Sequence, residues 1–262
     1  MKTIRFERDN AVGRIVLANP PYNRMDQRYA ECMREAVHDA SESDIRALVI
    51  KAEGPHFSFG GEVREWPGKD INWFLPFVQE VNLSFRAIEA LRVPTIAAVR
   101  GIAFGGGFEL ALSCDFIVAS EDAVFRCVEV TTGMLPLAGG VPRLAERVGR
   151  GRASVFSMLG EPISGRLAGE LGVASHVVAS SDVEATANTL AQRLAQGPTR
   201  SYAATRTLLK AWSAGGTPAA DAMLDDITMD LYNTEDCTRG FINAAKAFDQ
   251  DIEPPDIVFY GR

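Results

Sequence analysis

Cysteine and histidine are scarce in this 262-residue sequence, which contains four cysteines and three histidines. No two cysteines are close enough to form a CxxC ligand pair, and no two histidines lie at ligand spacing. This distribution argues against a disulfide scaffold and predicts no metal site. It is typical of reduced thiols in a cytoplasmic protein. The four cysteines are Cys32, Cys114, Cys127 and Cys237.

Long uncharged runs are also missing. The longest, from Val130 to Pro142, contains two prolines and is too short to cross a bilayer. The first eight residues carry charges and lack the apolar core of a signal peptide, so we expect none. The net charge of −7 argues against binding to nucleic acids or to anionic membranes. A small anionic ligand stays compatible with this charge.

What remains is an ordinary globular composition, with 47% hydrophobic and 23% charged residues. Buried-strand patterns alternate with helical ones as far as about residue 181, and only helical patterns follow. The sequence therefore predicts an α/β core with a helical C-terminal subdomain. The predicted strands are 3–7, 14–18, 47–50, 95–99, 115–119 and 123–126. One helix is predicted to begin after Asp26, and another is predicted over residues 70–91 with an interruption near Pro76. Further helices are predicted at 108–113, 143–148 and 151–159.

A glycine-rich turn follows the predicted strand 95–99 and opens a helix. Its triplet Gly105-Gly106-Gly107 matches neither the dinucleotide fingerprint nor a phosphate loop, and a purely structural turn is the alternative. Free N–H groups at such a helix start form a positive pole that a ligand can approach. Glu109, one turn into the helix, can reach the same cavity. The turn is therefore a candidate binding site with its own carboxylate.

Two further segments add to this candidate site. Pro55–Glu62 is another glycine-rich loop after a buried strand, and two such strand ends can direct two N–H groups at one oxygen atom, as in an oxyanion hole. Glu129 follows the short strand 123–126 among apolar neighbours. It is either a surface glutamate or a second carboxylate for acid–base chemistry.

These three motifs, in this order and spacing, resemble the crotonase (enoyl-CoA hydratase/isomerase) superfamily. The segment 94–115 is similar to the most specific signature of the family, and the match extends over essentially the whole chain. The resemblance implies a ClpP-like spiral fold of repeated ββα units. It also implies a catalytic core, residues 1–196, and a C-terminal helical subdomain, residues 197–262, that builds a homotrimer or homohexamer. No bound cofactor is implied, because coenzyme A arrives as part of the acyl-CoA substrate.

The resemblance also implies roles for individual residues. Glu109 and Glu129 match the two catalytic glutamates of the hydratases, and the N–H groups of Phe59 and Gly106 would hold the thioester oxygen. Because both glutamates are present, hydration of a 2-enoyl-CoA is the expected reaction. A double-bond isomerase, another acyl-CoA reaction such as hydrolysis or decarboxylation, and a non-catalytic acyl-CoA-binding protein are the alternatives. The implied substrate and coenzyme A contacts are Asn23, Arg24, Gly60, Gly61, Glu62, Gly105, Pro136 and Gly139.

Two departures from the family pattern concern the substrate pocket. The family usually has a small residue where Phe59 stands and an aspartate where Glu62 stands, so the side chain of Phe59 is expected to narrow the acyl pocket. Residues 63–78 are unusually aromatic. They form either a wall of the acyl pocket or ordinary helix core.

Overall fold

The computed structural model describes residues 3–254 and 257–261. The strands are β1 (Ile4–Asp9), β2 (Val12–Leu17), β3 (Ala47–Ala52), β4 (Thr95–Val99), β5 (Ile102–Phe104), β6 (Phe116–Ser120), β7 (Val124–Arg126), β8 (Ile163–Ser164) and β9 (His176–Val178). The helices are α1 (Gln27–Ser41), α2 (Ile71–Ala90), α3 (Gly106–Leu112), α4 (Gly140–Ser154), α5 (Gly165–Glu170), α6 (Val183–Gln196), α7 (Thr199–Asp221), α8 (Leu224–Tyr232) and α9 (Glu235–Asp249). The predicted mixed α/β chain that ends in helices is confirmed.

A six-stranded sheet forms the centre of the molecule, in the order β1-β2-β3-β4-β6-β9. β1 and β2 are an antiparallel hairpin, and every other neighbouring pair is parallel. β4 is buried along its whole length, as its continuous apolar sequence predicts for a strand covered on both faces. Helices α1 and α2 contribute to the core on one face, and α6 packs on the other.

A second sheet, in the order β5-β7-β8, carries the glycine turn and the segment that contains Glu129. β5 and β7 are parallel, so both strands end at the same edge. Gly105 follows β5 and donates its N–H to the carbonyl of Arg126 at the end of β7, at 2.9 Å. This pairing brings the start of α3 next to the segment that begins at Cys127. Strands β5, β8 and β9 were not predicted, and each of them has three residues or fewer.

Side-chain caps fix the starts of α1 and α2, the two helices on one face of the sheet. The Asp26 carboxylate accepts the N–H of Tyr29 at 2.7 Å, as predicted for α1, and Asp70 caps α2 in the same way. The predicted interruption of α2 near Pro76 is wrong, since the helix continues through that residue. The proline removes only one backbone hydrogen bond, and it lies where α2 is exposed, so water can satisfy the freed carbonyl.

The C-terminal helices are exposed over much of their surface. α6 ends at Gln196 and α7 begins at Thr199. α7 is kinked at Gly215 and Gly216. Among residues 3–254 and 257–261, no helix has the length and apolar character needed to cross a membrane. The large apolar side chains that α8 and α9 leave exposed are Leu224, Met229, Tyr232, Phe241, Ile242 and Phe248.

Candidate active site

Glu109 lies in the first turn of α3 and is almost completely buried, with 3% of its surface exposed. Its Oε1 accepts the N–H groups of Ala138 and Gly140, both at 2.8 Å. Gly140 begins α4, and a Cβ at that position would lie 2.8 Å from Cγ of Glu109, so only glycine allows this approach. Oε2 accepts no hydrogen bond from the described part of the chain. One oxygen is therefore fixed by the backbone, and the other is available to a ligand.

Glu129 lies at the same cavity, at the start of a short 3-10 helix after β7. Its Oε2 is buried and has no hydrogen-bond partner among the described residues. Burial raises the pKa of Glu129 above its ordinary value. Burial and the neighbouring charge of Glu129 raise the pKa of Glu109 to about 7, against the opposing effect of the N–H groups of Gly140 and Ala138. Two facing carboxylates with raised pKa values are typical of acid–base chemistry.

The loop between β3 and α2 runs beside β5 and brings its glycines next to α3. Ser58 donates its N–H to the Ile102 carbonyl at 3.0 Å, and its own carbonyl accepts the N–H of Phe104 at 2.9 Å. A Cβ on Gly60 would lie 3.0 Å from the backbone nitrogen of Gly106. The predicted meeting of the two glycine-rich turns is therefore present.

The assignment of the Phe59 N–H to the oxyanion hole needs correction. This N–H donates to the carbonyl of Tyr22 at 2.9 Å and is not available to a substrate. Gly61, two residues after Phe59, lines the cavity, and its N–H has no acceptor among the described residues. The N–H of Gly106, the first residue of α3, also has none. Gly61 and Gly106 are therefore the pair that can hold one oxygen atom.

The cavity between these groups has a volume of about 250 Å³ and is mainly apolar. The aromatic segment contributes a wall to it, since Trp66 and Phe77 line the cavity together with Val81. Trp73 instead stacks on Phe77, and no atom of it reaches the lining. The segment is therefore partly pocket wall and partly packing, so each of the two interpretations describes some of its residues.

The predicted site residues divide into those that line the cavity and those that do not. The lining includes Arg24, Phe59, Gly61, Gly105, Gly106, Glu109 and Glu129. The predicted residues that do not line it are Asn23, Gly60, Glu62, Pro136 and Gly139.

Asn23 and Glu62 are engaged with their own chain. The amide of Asn23 donates to the carbonyls of Glu53 and His56 at 3.0 Å and accepts the N–H of Asn19 at 2.9 Å. The polar atoms of this side chain are therefore used within the chain, and its contact with coenzyme A stays a prediction. Glu62 pairs with Arg64 and caps the short helix Val63–Glu65. Both residues shape the loop that carries Gly61.

Sequence reasoning missed the loop that holds Glu109. Ala138 and Gly140 act through backbone N–H groups, which leave no signature in side-chain chemistry, although the glycine pair at 139–140 marks the turn. Within the described residues, no group of three or more His, Cys, Asp or Glu side chains is arranged to hold a metal ion.

The comparisons with known proteins agree with this geometry. Residues 7–247 match the family model described as enoyl-CoA hydratase/isomerase. A Mycobacterium tuberculosis protein named "Probable enoyl-CoA hydratase echA8" is 33% identical over 199 residues, which cover 73% of this chain and 76% of that protein. A Bacillus subtilis protein named "Probable enoyl-CoA hydratase" is 34% identical over 178 residues, covering 67% of this chain and 69% of that one.

The structural comparison gives the same result. The crystal structure of an enoyl-CoA hydratase from Bacillus anthracis superposes with a TM-score of 0.88 at 25% sequence identity, covering 99% of this chain and 100% of that one. An enoyl-CoA hydratase structure from Geobacillus kaustophilus superposes with a TM-score of 0.87 at 29% identity, covering 99% and 98%. The expected crotonase fold is confirmed, and the chain belongs to the enoyl-CoA hydratase/isomerase family of the crotonase superfamily.

Proposed function

We propose that this protein is an enoyl-CoA hydratase, which adds water across the 2,3-double bond of a 2-enoyl-CoA thioester. The observation that carries the proposal is the pair of buried carboxylates, Glu109 and Glu129, on one cavity with two available N–H groups. An isomerase needs one group to move a proton between C2 and C4. Two carboxylates suit hydration, in which both the oxygen and a proton of one water must be placed.

The N–H groups of Gly61 and Gly106 bind the thioester oxygen, where negative charge develops as water adds to the conjugated system. Gly106 lies at the start of α3, whose dipole reinforces its N–H. Both donors belong to the backbone and are in place before substrate arrives. They therefore stabilise the charged transition state with little reorganisation.

The two carboxylates act on one water molecule. Glu109 in its ionised form accepts a hydrogen bond from the water through the free Oε2, because Oε1 is held by Ala138 and Gly140. As the water oxygen bonds to C3, Glu129 takes a proton from the water and passes it to C2. The product is a 3-hydroxyacyl-CoA that contains all the atoms of the water.

Several properties implied by the family complete the proposal. The substrate is an acyl-CoA with no further cofactor, and the protein acts in the cytoplasm. Residues 1–196 form the catalytic core, and residues 197–262 form a subdomain that assembles a homotrimer or homohexamer. The exposed apolar side chains of α8 and α9 support assembly because a monomer would leave them in water.

Product analysis on matched substrates tests the reaction. The purified protein is incubated with 2-enoyl-CoA and 3-enoyl-CoA thioesters of several chain lengths, and the products are identified by mass spectrometry and chromatography. We expect a 3-hydroxyacyl-CoA from the 2-enoyl substrates. Conversion of 3-enoyl to 2-enoyl substrates without hydration would identify an isomerase instead, and binding without turnover would identify a non-catalytic acyl-CoA-binding protein.

A further inference from the structure

A charged pair lies behind Glu109 and has no role in the chemistry proposed above. Arg143 on α4 donates to both carboxylate oxygens of Glu89 on α2, at 2.5 and 2.7 Å. The side chain of Arg143 is 12% exposed and that of Glu89 is 28% exposed. This two-bond geometry between a guanidinium and a carboxylate fixes the orientation of both groups. The pair therefore connects the C-terminal half of α2 rigidly to α4.

Arg143 also contacts the loop that holds Glu109. Its Nη1 donates to the carbonyl of Ala138 at 2.7 Å, and the N–H of the same Ala138 donates to Oε1 of Glu109 at 2.8 Å. Gly139 has a φ of 86°, and a Cβ there would lie 2.1 Å from Nη1 of Arg143. Glycine at 139 thus lets the guanidinium lie directly against the loop.

We propose that Arg143, oriented by Glu89, is a positioning residue for Glu109. It holds Ala138 so that the N–H groups of Ala138 and Gly140 both meet Oε1, which leaves Oε2 of Glu109 for the water. The proposal rests on the proposed function in taking Glu109 as the group that binds the water. Arg143 does not line the cavity, so it acts through the loop 138–140 and through its charge.

The charge of Arg143 supplies a readout that loop packing alone would not produce. The guanidinium lowers the pKa of Glu109, which burial and Glu129 raise. Among the described residues, Cys127 also interacts with Glu109, as a thiol that burial keeps neutral with a pKa raised to about 12, and Arg24 lines the same cavity. Glu89 partly cancels the field of Arg143. Neutralising either member of the pair must therefore change the pKa of Glu109, in opposite directions.

The experiment measures the pKa of Glu109 directly in the full-length protein. Glutamate carboxyl carbons are labelled with 13C, and the Glu109 signal is assigned by its loss in Glu109→Gln. In Arg143→Gln we expect the pKa to rise by about one pH unit, and in Glu89→Gln we expect it to fall. With 2-enoyl-CoA, kcat of Arg143→Gln should decrease about tenfold to a hundredfold with little change in KM, because the water is misplaced while the acyl pocket is intact.

A second ion pair offers a matched control. The side chains of Arg206 and Asp115 are 12% and 28% exposed, the same fractions as in the pair of Arg143 and Glu89. Nε of Arg206 lies 2.8 Å from Oδ1 of Asp115. Arg206→Gln should lower the unfolding temperature but leave the pKa of Glu109 unchanged. If Arg143→Gln does not fold, Arg143→Lys replaces it. Lysine keeps the charge but not the two-bond geometry, so the pKa should stay near the wild-type value while kcat falls.

The opposite shifts, together with an unchanged pKa in the control, would support the proposal. Equal pKa values of Glu109 in the wild type, Arg143→Gln and Glu89→Gln, or wild-type kcat in Arg143→Lys, would overturn it. The carboxyl titration needs no turnover, so the positioning role and the hydratase reaction can fail separately. Opposite shifts in a protein that does not hydrate 2-enoyl-CoA would refute the proposed function and leave the positioning of Glu109 standing.

Discussion

Glu109 illustrates how much chemistry depends on a single carboxylate and its surroundings. The sequence predicted that Glu109 reaches the cavity at the glycine turn and that Glu129 supplies a second carboxylate there. The two N–H groups that fix Oε1 could not be predicted, because they come from a loop about thirty residues further along the chain, whose backbone direction is set by tertiary packing. The same limit explains the error at Phe59, whose N–H is used by Tyr22.

The oxyanion pair gives a prediction that separates backbone from side-chain chemistry. Gly106→Pro removes the N–H at the first position of α3, where proline is tolerated. We expect circular dichroism close to that of the wild type and kcat reduced about 10²–10³-fold.

Gly106→Ala is the control for this substitution. It keeps the N–H, and its Cβ would meet the flexible Met25 side chain at 2.7 Å, so its loss in kcat should be smaller. A folded proline variant with wild-type turnover would show that the thioester oxygen is bound elsewhere.

The raised pKa of Glu109 also predicts a stability effect. Because its pKa of about 7 exceeds the ordinary value of 4.5, the folded chain binds more protons than the unfolded chain between these pH values. The free energy of unfolding therefore decreases as the pH rises from 4.5 to about 7. Glu109→Gln avoids the buried charge and should raise the free energy of unfolding at pH 8 by roughly 3 kcal/mol, since one pKa unit corresponds to about 1.4 kcal/mol.

Urea denaturation at two pH values tests this effect. The gain from Glu109→Gln should be present at pH 8 and should shrink as the pH falls below 4.5, where the wild-type carboxyl becomes protonated in the unfolded chain as well as in the folded chain. A gain of equal size at both pH values would show that the substitution acts through packing rather than through charge.

At the level of elements, strands β3, β4 and β6 and helices α1 and α2 could be predicted because each has a strong local signal, an apolar run or a side-chain cap. Short strands such as β5 and β8 depend on pairing with distant partners, so sequence patterns do not reveal them. The interruption of α2 predicted near Pro76 is absent because the packing of the rest of the helix outweighs the low helix propensity of one proline.

The start of α2 and the segment before it give a prediction on substrate range. Trp66 presses against Gly61 and lines the cavity, so Trp66→Ala should enlarge the acyl pocket. We expect kcat/KM to shift toward longer acyl chains by about tenfold, the scale on which pockets discriminate one or two methylenes.

Trp73→Ala is the matched control because Trp73 belongs to the same segment but does not line the cavity. It should leave the chain-length preference unchanged. An equal shift in both variants would mean that the preference responds to the stability of α2 rather than to the shape of the pocket.

For the whole molecule, the exposed apolar side chains on α8 and α9 predict self-association. Light scattering at micromolar concentration should give a trimer or hexamer. Phe241→Asp, which places a charge among these exposed apolar side chains, should shift the mass toward a monomer. His176→Asp, at an exposed position on β9, is the control and should keep the assembly. A wild-type monomer would contradict the proposed role of residues 197–262.

The most direct test of the two-carboxylate chemistry is a double-mutant cycle on Glu109 and Glu129. Hydration of the best 2-enoyl-CoA is followed by the loss of the conjugated thioester absorbance for Glu109→Gln, Glu129→Gln and the double variant. Each single substitution should lower kcat at least about 100-fold. The double variant should be little worse than the more damaged single one, because both carboxylates serve one water. Near-normal turnover in either single variant would contradict the proposed mechanism.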